Sequence, residues 1–301
     1  MLVRMLRRVL AALGVQLLLA TASAANTASA APVARPALWK VSDPDTTIYL
    51  FGTIHLLPRD YRWQTQKFAR TVAKSDELVV ETIIDLKRPE EFQATLLRMG
   101  YTPGLPPIVE RVPPAKRDAL RAAIARSGIP ESSFNLMETW FAAFQLLGVQ
   151  FRAMGLQGQE GPEQTLKQAF AAANKPIGEL ETNAEQLGYF DRLSETAQRQ
   201  LLEGAIEEPG NVTKEFGGML GAWARGDVSR IALTFNRDLA GSPEVAHALI
   251  TLRNSAWQAW IENRLARPGR VMVAVGAGHL AGKDSVIDLL KRRGYKVRRI
   301  Q

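Results

Sequence analysis

Two of the three histidines in this 301-residue chain end an apolar stretch with the same spacing after a glycine. Gly52 and His55 lie in TIYLFGTIHLLP, and Gly276 and His279 lie in VMVAVGAGHL. A single histidine at a strand end is usually a capping or packing residue, but the repeated Gly-x-x-His spacing favours two imidazoles that act together. These glycines, with Gly278, permit close approach of a substrate or of a neighbouring strand.

Two glutamates end further apolar stretches: Glu81 in ELVVET and Glu181 in PIGELET. Imidazole nitrogens and carboxylate oxygens suit zinc, manganese, iron or cobalt, and such a metal lowers the pKa of its bound water to about 7. We therefore predict a divalent metal site with His55, His279 and Glu81 as ligands. Glu81 could instead be the general base, and Glu181 could orient a ligand or replace one. As simpler alternatives, each glutamate could be a salt-bridge partner or cap a helix.

Arg253 and Asn254 lie in a helical stretch beside apolar residues. They could hold a substrate, with Arg253 on a carboxylate or oxyanion and Asn254 as a hydrogen-bond donor, or Arg253 could form a buried salt bridge. His247 has no glycine partner, and we expect it at the surface or in packing. The residues predicted to bind substrate are Arg253, Asn254, Gly52, Gly276 and Gly278.

The positions of the strands indicate how these residues come together. Strand patterns lie towards both ends of the chain, and the region from about 113 to 265 is mainly helical by period. VMVAV is too apolar to stand exposed, so early and late strands must share a sheet. We predict an α/β (α+β) fold with a central mixed sheet built from N- and C-terminal strands and covered by helices. His55 and His279 would then meet at the carboxyl ends of strands, where α/β sheets bind ligands.

Composition excludes several functional classes. The chain is 46% hydrophobic and carries a formal net charge of +8. Three of its arginines lie in the first 24 residues, which leaves about +5 for the remainder, and no nucleic-acid-binding motif accompanies that charge. The absence of cysteine excludes disulfides, thiol catalysis and thiolate metal sites.

The N-terminal segment has the pattern of an export signal. A positive start, MLVRMLRR, precedes the apolar run VLAALGVQLLLA and the small-residue sequence ASA. We predict a signal peptide over 1–24, with cleavage possible as late as 30, a linker over 25–36 and one domain over 37–301. Export to a periplasm follows, with no transmembrane segment in the mature chain; an uncleaved membrane anchor is the alternative.

Several segments occur in an order that resembles one protein family. These are LWKV with TIYLFGTIHLLP, ELVVET, KPIGELET, AWARGD, RNSAW and VAVGAGHLAGKDSVIDLLKRRGYKV. From about residue 37 to 301 the chain resembles the TraB/GumN family, which includes PrgY-like and Tiki-like proteins. The resemblance implies that the paired Gly-x-x-His motifs and Glu81 form the site, and it adds a Gly-x-acid pair at Gly161 and Glu163. It also implies a fold similar to ChaN-like and erythromycin-esterase-like proteins.

The resemblance implies a metal-dependent hydrolase of peptidase type, because Tiki-like members act as peptidases. Its cofactor would be a divalent ion (Mn, Co, Zn or Fe) and its partner a peptide or protein substrate. One alternative is a non-catalytic periplasmic binder that sequesters a peptide or haem-like ligand in the same cleft. Another is an accessory protein of envelope polysaccharide production, since GumN is named after a polysaccharide gene cluster.

Overall fold

The computed structural model describes residues 33–85, 88–239 and 241–301. The predicted signal peptide and the first part of the predicted linker, 25–32, lie outside the described residues. The end of that linker packs on the domain: Ala34 is buried, and the Ala34 and Arg35 amides donate to the carbonyl oxygens of Arg62 and Ala224. No helix in the described ranges is both long enough and apolar enough to cross a bilayer.

Eight strands form two sheets in the described part of the chain. They are β1 (Leu38–Ser42), β2 (Thr46–Thr53), β3 (Leu57–Pro58), β4 (Glu77–Val80), β5 (Leu156–Gln157), β6 (Ile177–Glu179), β7 (Gly269–Gly276) and β8 (Arg298–Arg299). The large sheet has the order β6-β4-β7-β2-β1-β8, and β3 pairs with β5 in a small sheet. Strands β6, β4, β7 and β2 are parallel, whereas β1 and β8 are antiparallel to their neighbours.

The predicted α/β fold with a mixed central sheet is confirmed. Strand β2 pairs with β7 along its whole length, so that Thr53 lies opposite Gly276 and both histidine motifs leave the same edge of the sheet. Strands β1 and β2 form an antiparallel hairpin, and Asp43 accepts a hydrogen bond from the amide of Thr46 (2.7 Å) in the turn between them. The last strand is short, since only Arg298 and Arg299 pair with β1.

Helices occupy most of the region between the early and late strands. They are α1 (Gln66–Lys74), α2 (Pro89–Gly100), α3 (Arg117–Ser127), α4 (Glu131–Asn135), α5 (Thr139–Ala153), α6 (Pro162–Ala172), α7 (Asn183–Asp191), α8 (Glu195–Ala205), α9 (Pro209–Ala224), α10 (Val228–Leu239), α11 (Pro243–Ala246), α12 (Leu252–Leu265) and α13 (Val286–Arg292). Short 3₁₀ turns span Ile108–Arg111, Pro114–Lys116, Gly158–Glu160 and Ala277–Leu280. Sequence periodicity predicts most of these helices, but it predicts neither the short α4 nor α10.

The sheet has an apolar core on each face, which explains the almost unbroken apolar sequence of β7. Met272 and Ala274 belong to the larger core, which most of the helices cover. Val273 and Val275 belong to the smaller core, where Trp257 of α12 and residues of α13 pack. Because α12 lies against the sheet, it can direct polar side chains towards the strand ends.

Two predicted elements end differently in the structure. The sequence predicts one helix from about 242 to 267, but α11 and α12 are joined by a π-helical turn over His247–Thr251. Such a turn changes which side chains face inward, and the adjacent residues Arg253 and Asn254 are both fully buried. Strand β6 ends at Glu179 rather than at Glu181, and Thr182 caps α7 in a capping box with Glu185.

The small sheet brings the segment after β2 against the segment before α6. Leu57 pairs with Gln157 and Pro58 with Leu156, and Gly161 then passes directly beside the backbone of His55. A Cβ atom built at Gly161 would overlap the carbonyl oxygen of His55. Glycine is therefore required at position 161 by close backbone approach, and this contact places the start of α6 next to His55.

We expect Gly161→Ala to destabilise the protein by about 1–3 kcal/mol, because the added methyl forces two backbone segments apart. Gly217→Ala is the matched control, since Gly217 is exposed in α9 with open space around its Cα. That substitution should stabilise the helix by about 0.5–1 kcal/mol. Urea unfolding followed by circular dichroism measures both changes, and equal effects of the two variants would refute the close contact.

Candidate active site

A fully buried arginine, Arg253, lies at the centre of the polar cluster at the strand ends. Its Nε lies 2.9 and 3.1 Å from the two carboxylate oxygens of Glu181. Its Nη2 donates to Oε2 of Glu81 (2.6 Å) and also contacts Glu181. Burial lowers the pKa of Arg253, but the two carboxylates more than compensate, and its pKa is raised. Of the two roles predicted for Arg253, this geometry has the form of the buried salt bridge.

Aromatic rings cover the guanidinium group of Arg253. Its central carbon lies 4.6 Å from the ring centre of Trp257 and 5.7 Å from that of Tyr189. Trp257 follows by one turn of α12, and Tyr189 comes from α7. Cation–π contacts of this kind favour a desolvated guanidinium. The edges of the Arg253 guanidinium therefore contact carboxylates, and aromatic rings lie near its faces.

His279 belongs to the closed, inner part of this cluster. Its Nδ1 lies 2.7 Å from Oδ1 of Asn254, whose Nδ2 donates to the carbonyl oxygen of Asp284 (2.8 Å). The amide orientation of Asn254 therefore assigns the ring proton to Nδ1 of His279. The lone pair on Nε2 then accepts a hydrogen bond from Nη1 of Arg253 (3.1 Å). Burial, then the charges of Arg253 and His55, hold the pKa of His279 well below its usual value.

His55 has a different environment from His279, although the two motifs have the same spacing. Its Nδ1 is paired with the carboxylate of Glu163, at the start of α6. Its Nε2 is buried, has no hydrogen-bond partner in the described residues and lies 3.9 Å from Oε1 of Glu81. Burial lowers the pKa of His55, but Glu163 and then Glu81 outweigh this effect, so the pKa is raised. Burial raises the pKa of Glu163, but the charge of His55 and its hydrogen bond lower that pKa by more, so the pKa of Glu163 is lowered overall.

Glu81 connects the two histidine environments as a fixed anion. Its Oε1 accepts a hydrogen bond from the backbone amide of Gly276 (2.7 Å), and its Oε2 accepts one from Nη2 of Arg253. Gln186 donates weakly to Glu81 (3.4 Å) and more closely to Glu181 (3.2 Å). With both oxygens engaged, Glu81 is better placed to hold charge than to abstract a proton.

A cleft of about 510 Å³, including its open mouth, lies at this edge of the sheet. Its lining residues are His55, Val80, Glu81, Thr82, Ile84, Gly158, Glu163, Gln164, Lys167 and Gln186. Of the residues predicted to bind metal or to act in catalysis, His55 and Glu81 therefore face the cleft, and His279 and Glu181 lie behind Arg253. Sequence patterns alone do not point to Gln164, Lys167 or Gln186. The helical spacing of Glu163 and Lys167, four residues apart, is a signal that could have identified Lys167.

None of the residues predicted to bind substrate lines the cleft. Asn254 holds His279, and the glycines make room for neighbouring segments. A Cβ at Gly52 would lie 3.0 Å from Cα of Ala277, and one at Gly278 would lie 2.5 Å from the ring of Phe235. Gly276 contributes its amide to Glu81. These residues shape the site from behind, and His247, as predicted, lies at the surface.

Comparison with known sequences shows to which family the chain belongs. The sequence model of the TraB/PrgY/gumN family matches residues 37–299, nearly the whole described domain. The chain belongs to the TraB/PrgY/gumN family. It is 25% identical over 243 residues to "Uncharacterized protein YbaP" of Escherichia coli (strain K12), covering 81% of this chain and 87% of that protein. The same identity and coverage hold for the YbaP protein of Shigella flexneri. No solved structure matches the chain.

The resemblance to the TraB/PrgY/gumN family implied a metal, and the donor atoms test how well one fits. Nε2 of His55 and Oε1 of Glu81 face each other near the cleft, but Nε2 of His279 accepts a hydrogen bond from Arg253. The guanidinium also contacts the other oxygen of Glu81, where it would repel a metal cation. In the described ranges, no group of three or more histidine and acidic residues is arranged to hold a metal. The predicted three-ligand set therefore does not fit this arrangement, and metal dependence stays a prediction.

We expect Arg253→Met to lower the free energy of unfolding by about 3–5 kcal/mol, because two buried carboxylates lose their cation. Arg270→Met is a matched control, since Arg270 forms an exposed ion pair with Asp76. Its urea midpoint should change little, because surface pairs contribute little to stability. Similar losses in the two variants would show that Arg253 is not the centre of a buried ion cluster.

Proposed function

We propose that this member of the TraB/PrgY/gumN family is an exported hydrolase that cleaves peptide bonds in the cleft beside His55. The observation that carries the proposal is the state of the His55 ring. Glu163 holds Nδ1, while Nε2 is buried, unpartnered in the described residues and part of the cleft wall. A ring held on one side by a carboxylate and free on the other has the arrangement of a general base.

In this proposal, neutral His55 takes a proton from an attacking water molecule through Nε2 and later gives it to the leaving amine. Glu163 keeps the ring oriented and stabilises the imidazolium form through its negative charge, which is the role of the carboxylate in a histidine–carboxylate pair. Glu81 adds a second negative charge 3.9 Å from Nε2. The raised pKa of His55 makes it a stronger base, at the cost of requiring a higher pH for its neutral form.

The buried inner cluster supports this chemistry without touching the substrate. Arg253 fixes Glu81 and Glu181, and His279 and Asn254 fix the position of Arg253. A rigid, desolvated arrangement of charges behind a cleft keeps the reacting groups oriented and strengthens their electrostatic effect. Peptide bonds are proposed as the target because of the resemblance to Tiki-like peptidases.

Export to the periplasm is the second part of the proposal. It is supported by the positive start, apolar run and small residues of the first 30 positions. The absence of cysteine is compatible with an oxidising compartment, because the fold then has no thiol to protect.

A binder that holds a peptide without cleaving it is the second candidate, because unpartnered polar atoms in a cleft also suit binding alone. A haem-like ligand is less well supported than a peptide. His279 is enclosed by Arg253, Asn254 and Trp257, so it is not available to serve with His55 as a second axial ligand. Nothing in the geometry favours the polysaccharide accessory role.

We expect His55→Gln to lower kcat/KM for peptide hydrolysis by about 10²–10⁴-fold, because the general base is lost. His247→Gln is the matched control, because it alters an exposed histidine, and it should leave the rate unchanged. The assay is mass spectrometry of a synthetic peptide mixture with the mature protein. Peptide binding without cleavage would support the binder instead.

The pH dependence gives an independent test of the pair. The rate should rise with pH as His55 loses its proton, with a midpoint above 6.5, the ordinary value of histidine. Because the charge of Glu163 raises that pKa, Glu163→Gln should move the midpoint to lower pH as well as slow the reaction. A midpoint that does not move in Glu163→Gln would contradict the assigned contact.

Chelation tests the metal prediction directly. Because Arg253 already engages His279 and Glu81, we expect untagged protein dialysed against a chelator to retain its activity and to show no stoichiometric manganese, cobalt, zinc or iron. Protein carrying both His55→Ala and His279→Ala serves as the elemental-analysis control. Activity that is lost on chelation and restored by one of these ions would instead establish the metal-dependent hydrolase predicted by the resemblance.

A further inference from the structure

Lys167 is a cleft residue that the proposed chemistry does not use. It lies on α6, four residues after Glu163, and its side chain is partly buried in the cleft wall. Within residues 33–85, 88–239 and 241–301, its ammonium group has no hydrogen bond and no ion pair within 4.0 Å. Burial lowers the pKa of Lys167, and the charge of Glu163 opposes this effect. A partly desolvated cation without a close anion is costly unless a ligand supplies one.

Glu163 does not satisfy Lys167, although it is the nearest acid on the same helix face. Its carboxylate is instead paired with Nδ1 of His55. Glu163 and Lys167 attract each other electrostatically at longer range, but in the described residues they form no ion pair within 4.0 Å. Lys167 is therefore available to an anion that enters the cleft.

Apart from the Glu163 oxygen that contacts His55, two further polar atoms of the cleft residues have no hydrogen-bond partner in the part of the chain that the structure describes. They are Nε2 of His55 and Oε1 of Gln164, both buried. His55 is more than nine-tenths buried, with 7% of its surface exposed, so its free nitrogen is not satisfied by open solvent. A cation, a hydrogen-bond acceptor and an imidazole nitrogen thus line the same cleft. Buried polar groups are normally paired, which indicates that a polar ligand completes this site.

These groups match the chemistry of a peptide carboxylate and its neighbouring amide. The ammonium of Lys167 would bind the carboxylate, and Oε1 of Gln164 would accept a peptide N–H. The scissile carbonyl would then lie towards Nε2 of His55. We propose that Lys167 binds a carboxylate group of the peptide substrate and so directs cleavage to a bond near that group. Hydrolysis in this statement rests on the proposed function; carboxylate binding does not.

The carboxylate could be the C-terminus of the peptide or the side chain of an aspartate or glutamate, and paired peptides distinguish the two sources. One pair differs only in a free or amidated C-terminus. A second pair has an amidated C-terminus and differs by Asp or Asn two positions from the end. In the pair that carries the recognised carboxylate, we expect kcat/KM to be at least tenfold higher for the acidic peptide than for its neutral counterpart. Most of this difference should come from a lower KM for the acidic peptide.

Lys167→Gln should reduce that preference to less than about twofold, and Lys167→Arg should restore most of it. Lys214→Gln is the matched control, because Lys214 is exposed in α9. Each variant is first compared with the wild type in thermal unfolding. Equal rates on acid and neutral peptides, or a preference that survives Lys167→Gln, would overturn the proposal. A fall in kcat on both members of a pair would overturn it too, because it would assign Lys167 to the reacting oxygen.

Calorimetric binding of the same peptides separates this inference from the proposed function. Binding that is selective for the acid and lost in Lys167→Gln, without any cleavage, would support the carboxylate site and refute the hydrolase. Cleavage without acid selectivity would support the hydrolase and refute the carboxylate site. If no peptide acid binds at millimolar concentration and none is cleaved, both proposals are wrong.

Discussion

The structure depends on the burial of one guanidinium group between two carboxylates. Removing three charged groups from water costs more free energy than their attraction returns unless every hydrogen bond is made. Arg253 comes close to that condition, because its Nε and Nη2 contact Glu181 and Glu81 and its Nη1 contacts His279. The ends of β4 and β6, the turn after β7 and helix α12 must therefore hold one relative position. The π-helical turn lies directly before α12, in which the adjacent residues Arg253 and Asn254 are both buried.

This constraint divides the strand-end cluster into a closed half and an open half. His279 is neutral and held on both nitrogens, so it supports Arg253. Among the residues that the structure describes, His55 is held on one nitrogen and presents the other to the cleft. Glu81 belongs to both halves, because Gly276 and Arg253 fix it while its Oε1 lies near His55. Two motifs with one spacing therefore have two different physical roles.

A guanidinium group and a metal ion are two alternative ways to neutralise the same buried carboxylates. Histidine and glutamate side chains converge because something cationic must neutralise the carboxylates. In this arrangement Arg253 supplies that charge from within the chain, and its N–H groups use the lone pairs that metal ligation would need. The residue types that led to the metal prediction are the same ones that an arginine requires.

The sequence by itself determined the architecture and the edge of the sheet that carries the site. The apolar strands around Gly52 and Gly276 could pair only inside the molecule, and the parallel pairing of β2 with β7 then brought both histidine motifs to one edge. Only the tertiary structure decided which side chains face the cleft. That choice depends on the turn before Arg253 and on the contact of Gly161 with His55, which places Glu163 against the imidazole and Lys167 in the wall of the same cleft. Such contacts join residues about a hundred positions apart, and no local periodicity encodes them.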